Sequence, residues 1–298
     1  PEDVRDARQV CRLDGRGVGS YERFMGTFSG KVCAVTGASS GIGRALANEF
    51  AKRGADVSIC DVDEAGLAET KRQVEARGKK CTSAVFDVSK RDAVEGWAKD
   101  TLDAHGQCDA IVNNAGVTVS DTIADISYDD FEWIVGINFW GVVYGTKAFL
   151  PHFIERDTGF VVNISSVFGM IGFPTQGSYN ATKFAVRGMT EALRWELESS
   201  NVTVCSVHPG GIKTNIVRNA RLRQGPDKGV DAAQMIASFD KMARTTPEKA
   251  ANVIIDGMEK REPRILIGAD AHMIDTIQRL APRKYGTWMK KLSDRLER

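Results

Sequence analysis

The sequence predicts an α/β fold in one domain, with helices on both faces of a doubly wound, mostly parallel sheet of seven strands. From residue 31 onward, short runs rich in β-branched residues alternate with longer segments of helical period, as in parallel strands joined by crossover helices. The strand candidates are continuous apolar runs, which is typical of strands covered on both faces. The 298 residues contain neither an internal repeat nor a clear linker, so one large domain is favoured over two small ones.

The elements follow in order along the chain. The predicted strands cover residues 31–36, 55–60, 81–86, 108–112, 159–165, 202–207 and 264–267. The helical patterns between them cover roughly residues 42–53, 64–77, 90–105, 128–155, 176–199 and 247–260. Two of these helices carry start signals, because Ser127 with Asp130 resembles a capping box and Thr246 precedes a proline as an N-cap does.

Three regions fall outside this alternation, and they give the chain its predicted organisation around a dinucleotide-binding catalytic domain at 29–270. Residues 1–28 carry charges of both signs without an apolar stretch, so we expect an extension that is either disordered or an expression remnant. Residues 210–245 contain no clear element, and loops of that length commonly form lids. Residues 271–298 form a basic amphipathic extension, for which packing on the protein's own domain is favoured over docking on a membrane surface or a partner subunit.

Composition excludes several classes of partner. Forty Lys and Arg against 39 Asp and Glu leave a net charge of +1, so no overall field would attract nucleic acid or an anionic membrane. No stretch approaches the ~18 to 20 apolar residues that a membrane span requires. The six cysteines lie far apart without a CxxC pair, which predicts small core residues in a reducing cytoplasm. The four histidines lack metal-binding spacing, so we predict no metal site.

A glycine-rich turn, TGASSGIG at residues 36–43, lies between the first predicted strand and the first predicted helix. Glycines in this position let the backbone approach a pyrophosphate, whose charge then lies at the positive N-terminus of the helix. The spacing is GxxxGxG rather than the GxGxxG of longer dinucleotide-binding proteins. The candidate phosphate-binding residues are Gly37, Ser39, Ser40, Gly41, Ile42 and Gly43.

Asp61 stands at the end of the second strand, where a carboxylate can accept hydrogen bonds from an adenosine ribose and would repel a 2′-phosphate. Ser40 occupies the turn position where a basic residue could meet that phosphate, and Val62 rather than arginine follows Asp61. These residues predict NAD rather than NADP as the cofactor. Asp87 and Val88 follow the third strand and are candidates for contact with the adenine ring.

Further motifs follow in a fixed order: NNAG at 113–116, YNATK at 179–183 and Pro-Gly at 209–210. Together with the glycine turn, this ordered set resembles the short-chain dehydrogenase/reductase family over residues 30–268. The resemblance implies a Rossmann-type fold. It also implies a homo-oligomer, a dimer or homotetramer assembled through the helices at 128–155 and 176–199.

The resemblance implies a catalytic set of Asn138, Ser166, Tyr179 and Lys183. Tyr179 and Lys183 lie four residues apart, so both project from one helix face. An ammonium about 4 Å from the phenol, at an effective dielectric of ~20, would contribute roughly 4 kcal/mol and lower the pKa of the tyrosine by about three. We therefore expect Tyr179 to titrate closer to neutrality, where general acid–base catalysis is most efficient.

For Ser166 and Asn138, the predicted role depends on where the side chain points. Ser166 ends the fifth strand, and side-chain alternation sends its neighbour Ser165 to the opposite face. In the family, the asparagine that matches Asn138 holds a water that links the lysine to solvent. The alternative is that Asn138 satisfies buried backbone groups.

The resemblance also implies cofactor contacts along the remaining motifs. Besides Tyr179 and Lys183, they are Asn114, Ala115, Gly116, Ile137, Ile164, Pro209, Gly210, Ile212 and Thr214. Backbone at Ile212 and the hydroxyl of Thr214 would hold the nicotinamide carboxamide. Phe168 and Phe173, with Ser166 and Tyr179, are the expected substrate contacts.

The predicted function is that of an NAD-dependent oxidoreductase that interconverts a rather apolar secondary alcohol and its ketone. One alternative is a redox sensor or scaffold that binds NAD without turnover. Another is a nucleotide-sugar epimerase or dehydratase, a class that shares YxxxK but differs in glycine spacing and in its large C-terminal substrate domain.

Overall fold

A computed structural model describes residues 28–222 and 232–287 of the chain. The strands are β1 (Val32–Thr36), β2 (Asp56–Asp61), β3 (Cys81–Val85), β4 (Ala110–Asn113), β5 (Val119–Ser120), β6 (Gly159–Ile164), β7 (Val202–Pro209), β8 (Arg221–Leu222) and β9 (Arg264–Ile267). The α-helices are α1 (Gly41–Lys52), α2 (Glu64–Glu75), α3 (Arg91–His105), α4 (Tyr128–Val135), α5 (Gly141–Glu155), α6 (Gly177–Glu196), α7 (Ala232–Met242), α8 (Pro247–Glu259) and α9 (Ala269–Leu280).

The main sheet has seven strands in the order β3-β2-β1-β4-β6-β7-β9, and every neighbouring pair is parallel. The chain builds outward from β1 to β3 and then crosses back to β4, so the strand order reverses between β1 and β4. Open α/β sheets bind ligands at such a switch point, in the crevice beyond the carboxyl ends of the strands. The predicted doubly wound fold is confirmed, and each predicted strand lies within two residues of the observed one.

The two faces of the sheet carry separate cores, which explains why the strands are apolar on both sides. On one face Phe50 of α1 and Ile254 of α8 are fully buried. On the other face Trp97 of α3 packs edge to face on Phe149 of α5, with ring centroids 5.5 Å apart. Each such side chain contributes about 1.5–3 kcal/mol when fully buried. The five cysteines of the described residues are buried and free, as expected of core residues.

The predicted helix starts are confirmed. The Ser127 hydroxyl accepts a hydrogen bond from the Asp130 amide at the start of α4. Thr246 accepts one from the Lys249 amide, and Pro247 occupies the first turn of α8.

The long helix predicted over residues 128–155 is interrupted by a π-helical turn at Gly136–Trp140, between α4 and α5. A π-turn inserts a residue into an otherwise α-helical path and is frequent at functional sites. Asn138 lies in this turn. The apolar periodicity continues through residues 128–155, so the sequence pattern did not reveal the break.

The expectation of no element in 210–245 is wrong at two places. Strand β8 pairs in parallel with β5 through Val119 with Arg221, and α7 follows. A two-residue strand is stabilised by its distant partner rather than by its own sequence, so local patterns could not predict it. Residues 223–231 of this predicted lid lie outside the described residues.

The C-terminal extension packs on the domain over its described part. Ala271 and Ile274 of α9 are buried against the segment that follows β6. Of the extension predicted at 1–28, Phe28 is buried in the core and residues 1–27 lie outside the described residues, as do the basic residues Lys290, Lys291, Arg295 and Arg298. Across the described ranges, no helix combines the length and the apolar character that crossing a bilayer would need.

Candidate active site

The glycine turn joins β1 to α1 at the switch point. Gly37 and Gly41 have φ values of +67° and +53°, in the left-handed region that favours glycine. A Cβ atom on Gly43 would lie 2.1 Å from the Gly37 carbonyl oxygen, so the first turn of α1 packs against the turn only without a side chain. Ser40 is the N-cap residue but its side chain makes no capping hydrogen bond. The positive end of α1 therefore fits the diphosphate of a dinucleotide.

Asp61 lies beside this turn, as predicted, and is tied to it. Its Oδ2 accepts a hydrogen bond from the Ser39 amide at 2.9 Å, and its Oδ1 accepts from the amides of Val62 and Asp63. A carboxylate has about four lone-pair sites, so these three hydrogen bonds leave one acceptor site on Oδ2. Asp61 thus shapes the turn while keeping acceptor capacity at its edge.

Arg44, a residue that the sequence analysis missed, fixes the back of the turn. Its guanidinium donates to the carbonyl oxygens of Ser39 and Gly66, and to the Thr70 hydroxyl at 3.0 Å. These contacts join α1, α2 and the turn into one unit. Arginine in a helical first turn gives no local sign of such a role.

The NNAG segment joins the ends of β1 and β4 across the switch point. Asn114 donates to the carbonyl oxygens of Thr36 and Gly37 at 2.8 and 3.1 Å. The Thr36 hydroxyl accepts hydrogen bonds from the amides of Asn114 and Ala115. A Cβ atom on Gly116 would lie 3.4 Å from Lys183 Nζ, so the end of this segment lies beside the candidate catalytic lysine.

Ser166, Tyr179 and Lys183 converge at the carboxyl end of the sheet. Ser166 follows β6 and opens a short 3₁₀ turn, Val167–Gly169, where its hydroxyl accepts a hydrogen bond from the Phe168 amide. The Ser166 hydroxyl also lies close enough to the phenol of Tyr179, which is 9% exposed, to lower its pKa. Lys183 lies one turn along α6, where its Nζ donates to the Ile164 carbonyl oxygen at 2.9 Å.

The side chains of Ser165 and Ser166 point to opposite sides, as the alternation along a strand predicted. The Ser165 hydroxyl donates to the Lys183 carbonyl oxygen at 2.8 Å and is 2% exposed. It therefore packs beneath the site and anchors α6, whereas Ser166 faces Tyr179.

We expected the charge of Lys183 to lower the pKa of Tyr179, and this expectation is wrong when only the groups of the protein itself act on the phenol. Burial raises the pKa of Tyr179 to about 12, against the opposing hydrogen bond from Ser166. Burial also lowers the pKa of Lys183 to about 8. The lysine Nζ lies 5.6 Å from the centre of the tyrosine ring and is directed at the Ile164 carbonyl, so desolvation outweighs the attraction that the spacing suggested.

Asn138 is fully buried in the π-turn, and its amide satisfies the backbone of Val117. Oδ1 accepts from the Val117 amide at 2.8 Å, and Nδ2 donates to the Val117 carbonyl oxygen at 2.9 Å. Nδ2 also lies 3.3 Å from the Thr182 hydroxyl. The side chain thus does what the alternative interpretation expected, and the water relay stays a prediction.

The Pro-Gly segment at the end of β7 faces the glycine turn. Thr214 Cγ2 would lie 3.2 Å from a Cβ atom on Gly41, which brings the two predicted cofactor segments into contact. Ile212 is buried and forms a bridge with Thr245, and the Lys213 amide donates to the Thr245 carbonyl oxygen.

Four other predicted cofactor residues lie after β2, after β3 and in the π-turn. Asp87 accepts a hydrogen bond from the Ser89 amide in the turn after β3, while Val88 packs against Gly141. Ile137 is half-buried against the core on the α3 and α5 face. Val62 is 66% exposed at the end of β2.

An apolar wall surrounds Tyr179. Phe168 stacks on Phe173 with ring centroids 5.3 Å apart and meets Tyr179 edge to face at 6.2 Å, and the substrate contacts of these side chains stay a prediction. Trp133 of α4 and Ile216 of the lid region join the same cluster. The sequence analysis missed both, because distant segments bring them to Tyr179.

Two polar side chains that the motifs do not include hold the Ser166 region in place. Asn180 donates to the carbonyl oxygens of Phe168 and Ile171 and accepts from the Phe173 amide. His208 lies 3.0 Å from the Ser166 carbonyl oxygen and 3.0 Å from the Ser206 hydroxyl. Burial lowers the pKa of His208 to about 4, so it is neutral at physiological pH. Among the described residues, no cluster of three potential metal ligands occurs.

Comparisons with known proteins extend over most of the chain. A model of the short chain dehydrogenase family matches residues 31–225. The protein SadH of Mycobacterium tuberculosis is 43% identical over 265 residues, which cover 88% of this chain and 94% of SadH. The 3-oxoacyl-acyl-carrier-protein reductase FabG of Thermotoga maritima is 33% identical over 226 residues, covering 76% of this chain and 89% of FabG.

Solved structures agree with these matches. A short chain dehydrogenase/reductase from Burkholderia phymatum in complex with NAD superposes with a TM-score of 0.76 at 29% identity, over 85% of this chain and 94% of that chain. Levodione reductase superposes with a TM-score of 0.72 at 26% identity, over 83% of this chain and 98% of that chain. The segment that matches the family runs from β1 through the glycine turn, Ser166, Tyr179 and Lys183.

Proposed function

This chain belongs to the short-chain dehydrogenase/reductase family, and we propose that it is an NAD-dependent oxidoreductase that interconverts a secondary alcohol and a ketone. The observation that carries the proposal is the convergence of Ser166 with Tyr179, and with Lys183 one helical turn away, at the carboxyl end of the sheet. The nucleotide-sugar epimerase or dehydratase alternative is not favoured by the proteins that the chain matches.

The glycine turn would hold the diphosphate, Asp61 the adenosine ribose, and the segment from Ile212 to Thr214 the nicotinamide end. When bound, the cofactor accepts or supplies the hydride that the protein's own side chains cannot. Asp61, together with Ser40 and Val62, supports NAD over NADP, because a 2′-phosphate would meet a carboxylate and neither Ser40 nor Val62 offers it a cation. The Burkholderia phymatum relative is described in complex with NAD.

Ser166 and Tyr179 would hold the substrate oxygen between them. In ketone reduction, the Tyr179 hydroxyl donates its proton to that oxygen, and a pKa of about 12 keeps the phenol protonated and ready at neutral pH. In alcohol oxidation, only the phenolate form of Tyr179 would accept the proton, so a pKa of about 12 favours the reductive direction at neutral pH. Lys183, with a pKa of about 8, is mostly cationic at neutral pH and stabilises the negative charge that develops on the phenol.

The apolar wall supports a rather apolar substrate. Phe168, Trp133, Ile134, Val119 and Ile216 belong to one apolar cluster with Tyr179. Relatives of this chain carry the names of reductases, including levodione reductase and the FabG reductase.

The proposal is tested with a panel of alcohols and ketones, assayed by NADH absorbance with both NAD and NADP. We expect turnover with NAD and apolar substrates. The Tyr179→Phe variant should lose turnover and keep NADH affinity within about twofold, because it lacks only the proton-transferring hydroxyl. Tyr128→Phe is the matched control, since that side chain is 87% exposed on α4. Turnover by Tyr179→Phe would remove the residue from its role, and NADH binding without turnover across the panel would favour the sensor or scaffold alternative.

We also propose that the protein is a homodimer or homotetramer that works in a reducing cytoplasm. Supporting the assembly, α5 and α6 expose large apolar side chains, among them Ile154, Phe184 and Trp195 at 51%, 41% and 63%. The five buried, free cysteines support the reducing compartment. Light scattering at micromolar concentration tests the assembly, and a monomer would contradict it.

A further inference from the structure

Two loops form the walls of the candidate site, and the same C-terminal helix contacts both. The substrate-side loop comprises residues 166–173, and the cofactor-side loop comprises residues 209–214. We propose that Asp270, Ala271, Ile274 and Tyr285, here called the C-terminal clamp, position these two loops for catalysis. Asp270 would set the cofactor-side loop, and Tyr285 would set the substrate-side loop. This inference rests on the proposed function and adds positioning residues to it.

Tyr285 reaches the substrate-side loop through its hydroxyl. The Gly172 amide donates to Tyr285 Oη at 3.1 Å, across 113 residues of sequence. The Tyr285 ring packs on the same apolar cluster as Phe168. The hydrogen bond fixes the end of the loop that carries Phe173, while the ring supports its beginning.

Packing continues this support to the candidate catalytic tyrosine. Ala271 and Ile274 of α9 are buried against Val167, Met170 and Ile171 of the substrate-side loop. Phe168 belongs to this cluster and also to the cluster around Tyr179. A displacement of α9 would therefore reach Tyr179 through one aromatic side chain.

Asp270 holds the other loop from the first turn of α9. Its Oδ2 accepts a hydrogen bond from the Gly211 amide at 2.7 Å. A Cβ atom on Gly210 would lie 2.1 Å from that same oxygen, so the carboxylate packs directly against the loop backbone. The loop leads to Ile212 and Thr214, the residues that would meet the nicotinamide end.

The two ends of the clamp make different predictions because they contact different loops. Losing the Tyr285 hydroxyl should affect the substrate and spare the cofactor. Losing the Asp270 carboxylate should affect the cofactor and spare the substrate. If these residues only stabilised the fold, each substitution would affect substrate binding and cofactor binding together.

The experiment compares Tyr285→Phe and Asp270→Ala with wild type in the full chain. For each protein we would measure NADH affinity by fluorescence, substrate KM and kcat at saturating cofactor, thermal stability, and amide hydrogen exchange of both loops. A hydrogen bond of ordinary strength corresponds to about a threefold to tenfold change in binding. Tyr285→Phe should therefore raise substrate KM by about threefold to tenfold and speed exchange in the substrate-side loop, with NADH affinity within twofold of wild type.

Asp270→Ala should show the opposite pattern, with NADH affinity weakened by about threefold to tenfold and faster exchange in the cofactor-side loop. Asp270→Asn retains an acceptor oxygen and should restore most of the affinity. Tyr128→Phe and Asp129→Ala are matched controls, since both change exposed side chains in the first turn of α4, and Asp129 also controls for the loss of a helix-dipole interaction.

The inference is overturned if exchange in the two loops is unchanged in these variants. It is also overturned if each variant changes substrate and cofactor parameters together, in proportion to its loss of thermal stability. Failure of the proposed function is distinct from either result, because wild type would then bind no NADH or turn over no substrate. The exchange measurement would still show whether Tyr285 and Asp270 hold the loops.

Discussion

The two sides of the crevice between β1 and β4 are built differently. On the cofactor side, the backbone of one short segment forms the surface, and neighbouring side chains such as Asn114 and Asp61 hold that backbone in place. On the substrate side, the surface consists of side chains that arrive from separate parts of the chain, including Trp133, Phe168 and Ile216. A binding surface made of backbone tolerates almost no added atom. A binding surface made of side chains can be altered in small steps by single substitutions.

This contrast predicts severe effects where the site depends on fixed backbone or on a buried charge, and graded effects at the apolar wall. The four substitutions below test it, in order of decreasing effect.

Lys183→Met should lower turnover and at the same time raise the stability of the fold. We expect turnover to fall by at least about 1000-fold, since general acid–base catalysis contributes about 10² to 10⁴ and the cation beside Tyr179 is lost. The same variant should be more stable at pH 7. Burial lowers the folded-state pKa of the lysine to about 8 from 10.5, so protonating it at pH 7 destabilises the fold. Allowing for the unpaired Ile164 carbonyl that remains, the free energy of unfolding should rise by about 1–2 kcal/mol.

The pH dependence checks that prediction by denaturant unfolding. A group with a depressed folded pKa contributes stability that is present above its unfolded pKa and is lost as pH falls through the folded pKa. Between about pH 8 and 10.5, the free energy of unfolding of wild type should therefore increase relative to that of Lys183→Met. The difference in stability between the two proteins should shrink over this range. A gap that is the same at pH 7 and pH 10.5 would contradict the assignment of a strained, buried amine.

Gly43→Ala tests the backbone side. The added methyl would lie 2.1 Å from the Gly37 carbonyl oxygen and 2.6 Å from Asn114 Nδ2, so the turn must move. Overpacking of about 3 kcal/mol corresponds to a loss of NADH affinity of about 100-fold, measured by fluorescence titration. Gly96→Ala is the control, because it lies in α3 with nothing within 4 Å and should stabilise the helix slightly. Equal NADH affinity in the two variants would show that the turn is not a binding surface.

Asp61→Asn tests cofactor choice with a smaller change to the turn than alanine makes, because its one oxygen can still accept either the Ser39 hydrogen bond or those from Val62 and Asp63. Removing the negative charge should lower the ratio of NAD to NADP efficiency by about tenfold, within the range of hydrogen bonds to charged groups. Asp61→Ala should lower that ratio as well and also weaken NADH binding. A wild-type enzyme that already prefers NADP would refute the ribose argument.

Ile216→Ala tests the side-chain wall and should have the smallest effect. Truncating one partly buried aliphatic side chain beside Tyr179 removes about 1 kcal/mol of apolar contact, so KM for an apolar substrate should rise by about threefold to fivefold. NADH affinity should stay unchanged. Leu280→Ala, at an 81% exposed position, should leave both unaffected. A loss of NADH affinity in Ile216→Ala would mean that the two sides are not independent.

The same difference explains how far the sequence could predict the molecule. The glycine turn and the strands are contiguous in sequence, so local pattern was sufficient to locate them. The pairing of β8 with β5, and the ion pair between Arg221 and the buried Asp130 at 2.9 Å, depend on residues 91 or more apart. No local rule identifies such partners.

The chemistry of Tyr179 was also only partly predictable. Its four-residue spacing from Lys183 placed the pair on one helix face, as the structure has it. The direction of the pKa change was not predictable, because it depends on how deeply the surrounding fold buries both groups. Spacing determines proximity along a helix, but solvent access is a property of the complete fold.

The π-helical turn at Gly136–Trp140 also has an architectural consequence. Each residue of an α-helix turns the chain by about 100°, so one residue more or less in this turn would rotate α5 by that angle against α4. Asp130 of α4 is aligned with Arg221, while Thr146 of α5 is aligned with Asn113 beneath the sheet. A regular helix could not keep both alignments. The extra residue therefore sets the rotation of α5 relative to α4. Deleting one residue there should break either the contact between Asp130 and Arg221 or the contact between Thr146 and Asn113, and leave the other intact.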